Sequence, residues 1–255
     1  MVTIVPGEPG RGNVPSDSPY ENRIPVEEVA GIVRELFDRP AAFRLAAIEP
    51  IDWLGGVLVT FETESGTLTL HEPGRKIVRL QRRYGPFVGR LDLLIAAGKA
   101  VRWTYDRFPW SEVLSLTLPE PCSDEEFRIS LVERKGPVEM PSRVDITFGP
   151  DGTVTWLSAY HEADAPVPEV HLTREQAIEL AARFADTHSE IFRGLRHGDV
   201  SLAVRLYDHV FRTVWRVNFP KAVRRPDLGT FALGFGGNIQ LDATTGEILA
   251  FDRYK

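Results

Sequence analysis

The chain has 255 residues, of which 43% are hydrophobic and 26% charged, enough apolar material for one large core or about two to three small ones. Its net charge of −6 argues against sequence-independent nucleic-acid binding, which needs clustered Lys and Arg; the pairs Arg82-Arg83 and Arg224-Arg225 are too short for that and read as solvated surface. One cysteine, Cys122, rules out an intramolecular disulfide, so the fold must stand on packing.

Residues 1–23 are rich in Pro, Gly, Ser and Asn and lack apolar periodicity, so they read as a flexible N-terminal segment. They contain no basic stretch followed by an apolar core and do not read as a signal peptide. No run approaches the length of a membrane span. Two expectations stay open: a cytoplasmic protein, or an exported one whose signal is missing from this sequence.

Residues 24–86 read as a first helix-plus-sheet unit. Pro25-Val26-Glu27-Glu28 opens a helix, with proline in the first turn and acids at the positive end of the dipole. Val29, Ile32, Val33, Leu36 and Phe37 form its apolar stripe. Val57, Val59 and Phe61 then alternate with Leu58, Thr60 and Glu62, and a hairpin follows from Gly66 to Arg83.

Residues 87–163 read as a second unit. Leu91, Leu94 and Ile95 suit a helix, and the pattern favours its continuation to about residue 105 over a strand through Val101, Trp103 and Tyr105. Leu114, Leu116 and Leu118 alternate as a strand. Phe127, Ile129 and Leu131 form the inward face of the next, and Lys135-Gly136-Pro137 makes a turn. Val144, Ile146 and Phe148 lead through Pro150-Asp151-Gly152 to Val154, Trp156 and Ser158, a hairpin.

Residues 169–255 form the third unit, after a proline-rich connector at 165–168. Thr173 and Gln176 spell a capping box, followed by the stripe Ala177, Ile178, Ala181, Phe184 and Ala185. Strands follow at 202–206 and 211–219, then the closing hairpin GNIQLDATTGEILAFDRY at 237–254. A gapless comparison of 66–83 with 237–254 keeps the apolar pattern and the identities Gly66/Gly237, Leu70/Leu241, Ile77/Ile248 and Arg82/Arg253. The expected fold class is therefore α+β, in tandem units that each pack a helix on a small antiparallel sheet.

Glu175-Gln176-Ala177 on the third helix, Trp215-Arg216-Val217-Asn218-Phe219, and Leu241-Asp242-Ala243-Thr244-Thr245-Gly246-Glu247-Ile248 together resemble the PepSY-type repeats of bacterial envelope proteins and of thermolysin-like protease propeptides. The match covers 144–255 and fades over 24–84. The resemblance implies cystatin-like units, an extracytoplasmic setting and a role in restraining or escorting proteases. It implies no catalytic residues and no cofactor.

The residues themselves assemble no catalytic signature. His71-Glu72 and His161-Glu162 lack the second histidine of a zincin helix. There is no nucleophile elbow or P-loop, and Gly234-Phe235-Gly236-Gly237 leads into a strand where a dinucleotide loop would lead into a helix. Asp242 to Glu247 reads as a hairpin turn with Gly246 at positive φ, not as a calcium loop. Cys122 and Asp124-Glu125-Glu126 read as loop residues. Of the five tryptophans, Trp110 and Trp156 are the candidates for a ligand-binding aromatic surface. The expected function is a non-enzymatic module that binds a protein or peptide, with a protease as partner class, no nucleic acid and no metal. The alternative is an α+β domain that binds or converts a small molecule in a pocket between helix and sheet.

Overall fold

The computed structural model describes residues 24–39, 41–83, 87, 89–188, 199–219 and 236–254. The expected flexible segment 1–23, the pair Arg224-Arg225, Gly234-Phe235 and the side chain of His188 lie outside the described residues. The fold is α+β and sheet-dominated, with thirteen strands and three α-helices among the described residues. The chain divides into two compact units: Met1–Glu133 with Ser142–Ala163, and Arg134–Pro141 with Asp164–Lys255. The segments expected as the first and second helix-plus-sheet units both fall mainly in the first of these.

In the first unit, α1 (Val26–Phe37) precedes β1 (Phe43–Pro50), β2 (Val57–Thr63), β3 (Gly66–Glu72) and β4 (Ile77–Arg82). Then come α2 (Leu93–Arg107), a 3-10 turn at Pro109–Val113, and β5 (Ser115–Leu116), β6 (Glu120–Pro121), β7 (Phe127–Lys135), β8 (Val138–Phe148) and β9 (Val154–Tyr160). Strands β1 to β4 pair in sequence, β4 then pairs with β9, and β9 with β8, all antiparallel.

Register decides which residues form the core. Two successive rungs run Ile48, Val59, Leu70, Val78, Ala159, Val144 and Leu45, Phe61, Leu68, Leu80, Leu157, Ile146 across six strands. Every member is apolar, because alternate residues of a strand share a face. Val29, Val33, Leu36 and Phe37 of α1 join this cluster, as do Ala96, Ala97, Ala100 and Val101 of α2. Both helices therefore cover the same face of the sheet.

Both helices of the first unit begin as the sequence suggests, but they differ in their apolar stripes. α1 buries Val29, Val33, Leu36 and Phe37, as expected. On α2 the expected Leu94 and Ile95 are exposed, and small residues, Ala96, Ala97, Ala100 and Thr104, face the core. The helix continues to Arg107, which settles the choice at 101–105 against a strand. The last carbonyls of α1, which a helix cannot satisfy internally, are taken up by arginines: Arg82 donates to Leu36 O at 2.5 Å and Arg107 to Glu35 O at 3.0 Å. Both guanidinium groups lie over the Trp103 ring, at 4.9 and 4.2 Å from its centroid. Asp38, in the left-handed region at φ 59°, accepts from both arginines.

Three strand expectations need correction. The Leu114–Leu118 strand shrinks to the two residues of β5, because a 3-10 turn occupies Pro109–Val113. Strand β1 has no counterpart in the expected elements: its burial does not alternate cleanly, and its register shifts between Leu45 and Ala47. β8 begins six residues before Val144, running through Pro141. It pairs with β7 and, from Arg143 onward, with β9; its first residues, Val138 and Glu139, belong to the second unit and pair there with that unit's first strand.

In the second unit, α3 (Arg174–His188) is followed by β10 (Val200–Tyr207), β11 (Val210–Phe219), β12 (Gly236–Asp242) and β13 (Ile248–Tyr254), antiparallel neighbours in that order. β10 also pairs in parallel with Val138 and Glu139. The capping box forms in both directions: Thr173 N–H donates to Gln176 Oε1 at 2.8 Å, and Gln176 N–H to Thr173 Oγ1 at 3.2 Å. Ala181 and Ala185 pack on Val217, Phe219, Ile239 and Leu241. In the closing turn Gly246 has φ +79°, and Asp242 accepts backbone N–H bonds from Thr244 and Thr245, each at 2.9 Å. The stretches 66–83, 145–160 and 237–254 each form an antiparallel hairpin.

Two glycines make a matched test. Gly66 has φ +146°, and a Cβ there would meet Gln81 O at 2.0 Å, whereas a Cβ on Gly31 in α1 meets nothing within 4 Å. Gly66→Ala should cost about 2 kcal/mol or more, from strain and displacement of β4. Gly31→Ala should instead stabilise by about 0.5–1 kcal/mol. Urea unfolding of the two variants checks both signs; a neutral Gly66→Ala would refute the tight β3–β4 approach.

Candidate functional site

The other face of the first unit's sheet is built from the alternate residues of the same strands. One rung reads Ala47, Thr60, Thr69, Arg79, Ser158, Asp145; the next reads Arg44, Glu62, Thr67, Gln81, Trp156, Thr147. Hydroxyls, amides and charges replace the aliphatic rungs of the helix-covered face. Thr60, Thr69, Glu62, Thr67, Trp156 and Ser158 are half-buried, and Arg79 and Gln81 are exposed. Directly opposed residues stand about 4.5–5.5 Å apart at Cβ, so the rungs make continuous rows of side chains across the sheet.

Local pairs fix the side chains at the margins. Arg44 donates to Glu62 at 2.6 and 3.0 Å, Thr60 and Thr69 share a hydroxyl bond of 3.0 Å, and Arg143 grips Asp145 at 2.7 Å through two nitrogens. Ser130 adds a hydroxyl donor to Asp145 at 2.5 Å. Arg79, in the middle of the face, has no ion pair among the described residues. Arg79 is flanked along its rung by Thr69 and Ser158 and diagonally by Trp156.

One end of the face is closed by the loop between β1 and β2. Trp53, 46% exposed, leans on Tyr160 with ring centroids 6.2 Å apart. Gly55 O lies 2.8 Å from His71 Nε2, and His71 is buried with no hydrogen-bond partner at Nδ1. Below Tyr160 the Glu162 side chain is 3% exposed; it accepts from Lys76 Nζ at 2.5 Å and from the Tyr160 hydroxyl at 3.2 Å. A buried carboxylate requires such partners. Burial first, and the Glu162 charge second, push the Tyr160 hydroxyl pKa well above the ordinary tyrosine value.

The two sequence-selected tryptophans do not meet. Trp156 lies on the uncovered face, beside Gln81 and Thr147. Trp110 is half-buried against the helix-covered core and stacks on His161 at 4.4 Å with an 11° interplanar angle, so it is not the exposed ring its loop context suggests. Trp53, which the sequence did not single out, is the exposed one. Ser123 Oγ accepts the N–H groups of Glu125 and Glu126, so Asp124-Glu125-Glu126 is a turn, and Cys122 is exposed. Among the described residues no three His, Cys, Asp or Glu side chains converge as a metal site would require. The residues that sequence reasoning missed are those of the central rungs: alternation marks Thr67/Thr69, Arg79/Gln81 and Trp156/Ser158 within each hairpin, but nothing local says that β4 and β9 are neighbours.

Tyr160 carries a pH test. Its folded pKa is raised above the ordinary 10.0, so its contribution is complete below pH 10 and is lost as pH climbs towards the folded value. Between pH 9 and pH 11 the wild type should lose more unfolding free energy in urea than Tyr160→Phe. Equal losses would contradict the buried Tyr160–Glu162 contact.

No family model matches the chain, and no curated protein matches it. Solved structures similar to it include two of bacterial proteins. The C-terminal domain of YpeB from Bacillus megaterium is 16% identical over 90% of this chain and 97% of its own, with a TM-score of 0.46. An uncharacterised protein from Eubacterium rectale is 9% identical over 89% of this chain and 83% of its own, with a TM-score of 0.49.

Proposed function

We propose that this chain is a non-enzymatic module that binds an extended protein or peptide segment on the uncovered sheet face of its first unit. The observation that carries the reading is the pair of aligned polar rungs, Thr60–Thr69–Arg79–Ser158 and Glu62–Thr67–Gln81–Trp156, on the side opposite both helices. A sheet face with one aromatic ring, one cation without an ion pair and a row of hydroxyls can grip a chain lying across it: the ring packs on a side chain, the guanidinium pairs with an acidic residue, and the hydroxyls reach main-chain groups. Strand addition at the β1 edge is the less favoured route, because the register shift between Leu45 and Ala47 spoils the regular ladder that an added strand needs.

The resemblance to PepSY-type repeats supports a protease, or a segment on its way to one, as the partner class, in an extracytoplasmic setting. Cystatin-like tandem organisation, with hairpins 66–83, 145–160 and 237–254 as repeat marks, belongs to the same proposal.

Fluorescein-labelled β-casein, an acidic and unfolded protein, serves as the probe. Its fluorescence anisotropy should rise saturably with added protein, and Arg79→Glu and Trp156→Ala should each weaken binding about tenfold or more while leaving the melting temperature in place. No saturation up to about 100 μM protein, or equal binding by both variants, would remove the support for this face.

A further inference from the structure

The uncovered face of the first unit has an order along its strands as well as across them. On β9 it carries Trp156, Ser158 and Tyr160, and on β4 it carries Gln81, Arg79 and Ile77, paired rung by rung. Read along the strands, these are an aromatic rung, a rung with a cation, and a second aromatic rung. In the last of them Tyr160 stands opposite the buried Ile77 and supports the exposed Trp53 ring of the β1–β2 loop, with 6.2 Å between centroids. In the middle rung Arg79 is exposed and has no ion pair among the described residues, while Asp145, beyond Ser158, is held by Arg143. At the far margin Arg44 and Glu62 are paired with each other. The face therefore sets a positive charge without an ion pair midway between two aromatic ends.

Two spacings decide how a chain can lie there. Neighbouring strands stand about 4.7–4.9 Å apart, which matches no repeat of an extended chain. Residues two apart on one strand stand about 6.5–7 Å apart, the same repeat at which an extended chain turns its side chains to one side. A chain running along β4 and β9 thus sets alternate side chains over Trp156, Arg79 and the Trp53–Tyr160 pair in turn. The rings take apolar side chains, and the guanidinium takes a carboxylate. The net charge of the protein, −6, does not draw an acidic segment in, so a preference for one must come from this local cation.

We infer that this face selects an extended segment of the pattern apolar–x–acidic–x–apolar, running along β4 and β9. The acidic residue pairs with Arg79, and the apolar ones pack on Trp156 and on Trp53–Tyr160. This rests on the peptide-binding reading above and adds to it a direction, a spacing and a composition. The pattern reads the same from both ends, so either chain direction satisfies it.

The test titrates three nonapeptides into the 15N-labelled full chain and follows the indole N–H resonances of Trp53 and Trp156, assigned with Trp53→Phe and Trp156→Phe. GSLSDSLSG has the required spacing, GSLDLSSSG has the same composition with the pattern compressed, and GSLSNSLSG lacks the charge. GSLSDSLSG should shift both resonances saturably, with an affinity about tenfold tighter than that of GSLDLSSSG and about two- to fivefold tighter than that of GSLSNSLSG. Arg79→Gln, with the backbone spectrum otherwise unchanged, should abolish the preference for Asp over Asn and keep the preference for spacing. Equal affinity for the three peptides, or an Asp preference that survives Arg79→Gln, overturns the inference and leaves the binding face standing. No shift with any peptide also overturns it, and the β-casein anisotropy then decides alone whether the face binds a chain. Dilution-dependent shifts of the two indoles without peptide assign the face to a second copy of this chain and likewise overturn it.

Discussion

A β-strand sends successive side chains to opposite faces, and the first unit depends on that constraint throughout. Six strands in fixed register turn it into rows: Leu45, Phe61, Leu68, Leu80, Leu157 and Ile146 on one side, and Arg44, Glu62, Thr67, Gln81, Trp156 and Thr147 on the other. A slip of one residue in any strand would bury arginine, glutamine and threonine under the helices and expose leucine, so the pairing is specified energetically as well as sterically. The helices then have a single apolar surface to cover, and what they leave bare is polar by the same rule that made the core apolar.

Around this frame, a few polar contacts secure the ends of elements. The C-terminus of α1 exposes carbonyls that Arg82 from β4 and Arg107 from α2 satisfy, with Trp103 stacked beneath both guanidinium groups and Asp38 bridging them. Three elements are tied at one point by groups that the helix could not pair for itself. At another edge, Lys76 and Tyr160 converge on Glu162, next to the first residue of β4 and the last of β9. That arrangement suits a join between strands distant in sequence: removing either partner leaves a buried carboxylate short of hydrogen bonds.

What could be read from residues alone follows the range of the interaction concerned. Thr173 and Gln176 cap α3 through neighbours three residues apart, and Gly246 turns the last hairpin by its own backbone freedom; both are local and both were readable. Strand β1 was not, since a bulge disrupts its alternation, and the early start of β8 was not, because the pairing of Val138 to Pro141 rests on strands distant in sequence. α2 hides its polarity for a different reason: alanines face the sheet, so Leu94 and Ile95 point outward against the usual reading of an apolar stripe. The candidate face was half readable. Trp156 was singled out as a ring, but its neighbours Gln81 and Thr67 come from hairpins whose adjacency is a tertiary fact, and Trp110 is turned inward onto His161.

The central claim is that alternate residues of β9 and its neighbours face opposite environments, one shielded by helices and one open. Hydroxyl-radical footprinting with peptide mass spectrometry reads this residue by residue. After normalisation to intrinsic side-chain reactivity, the account predicts rapid oxidation of Trp53, intermediate oxidation of the half-buried Trp156 and strong protection of Leu157, Leu80 and Leu68, with the contrast between Trp156 and Leu157 arising within a single strand. Protection of Trp156 to the level of Leu157 would contradict it.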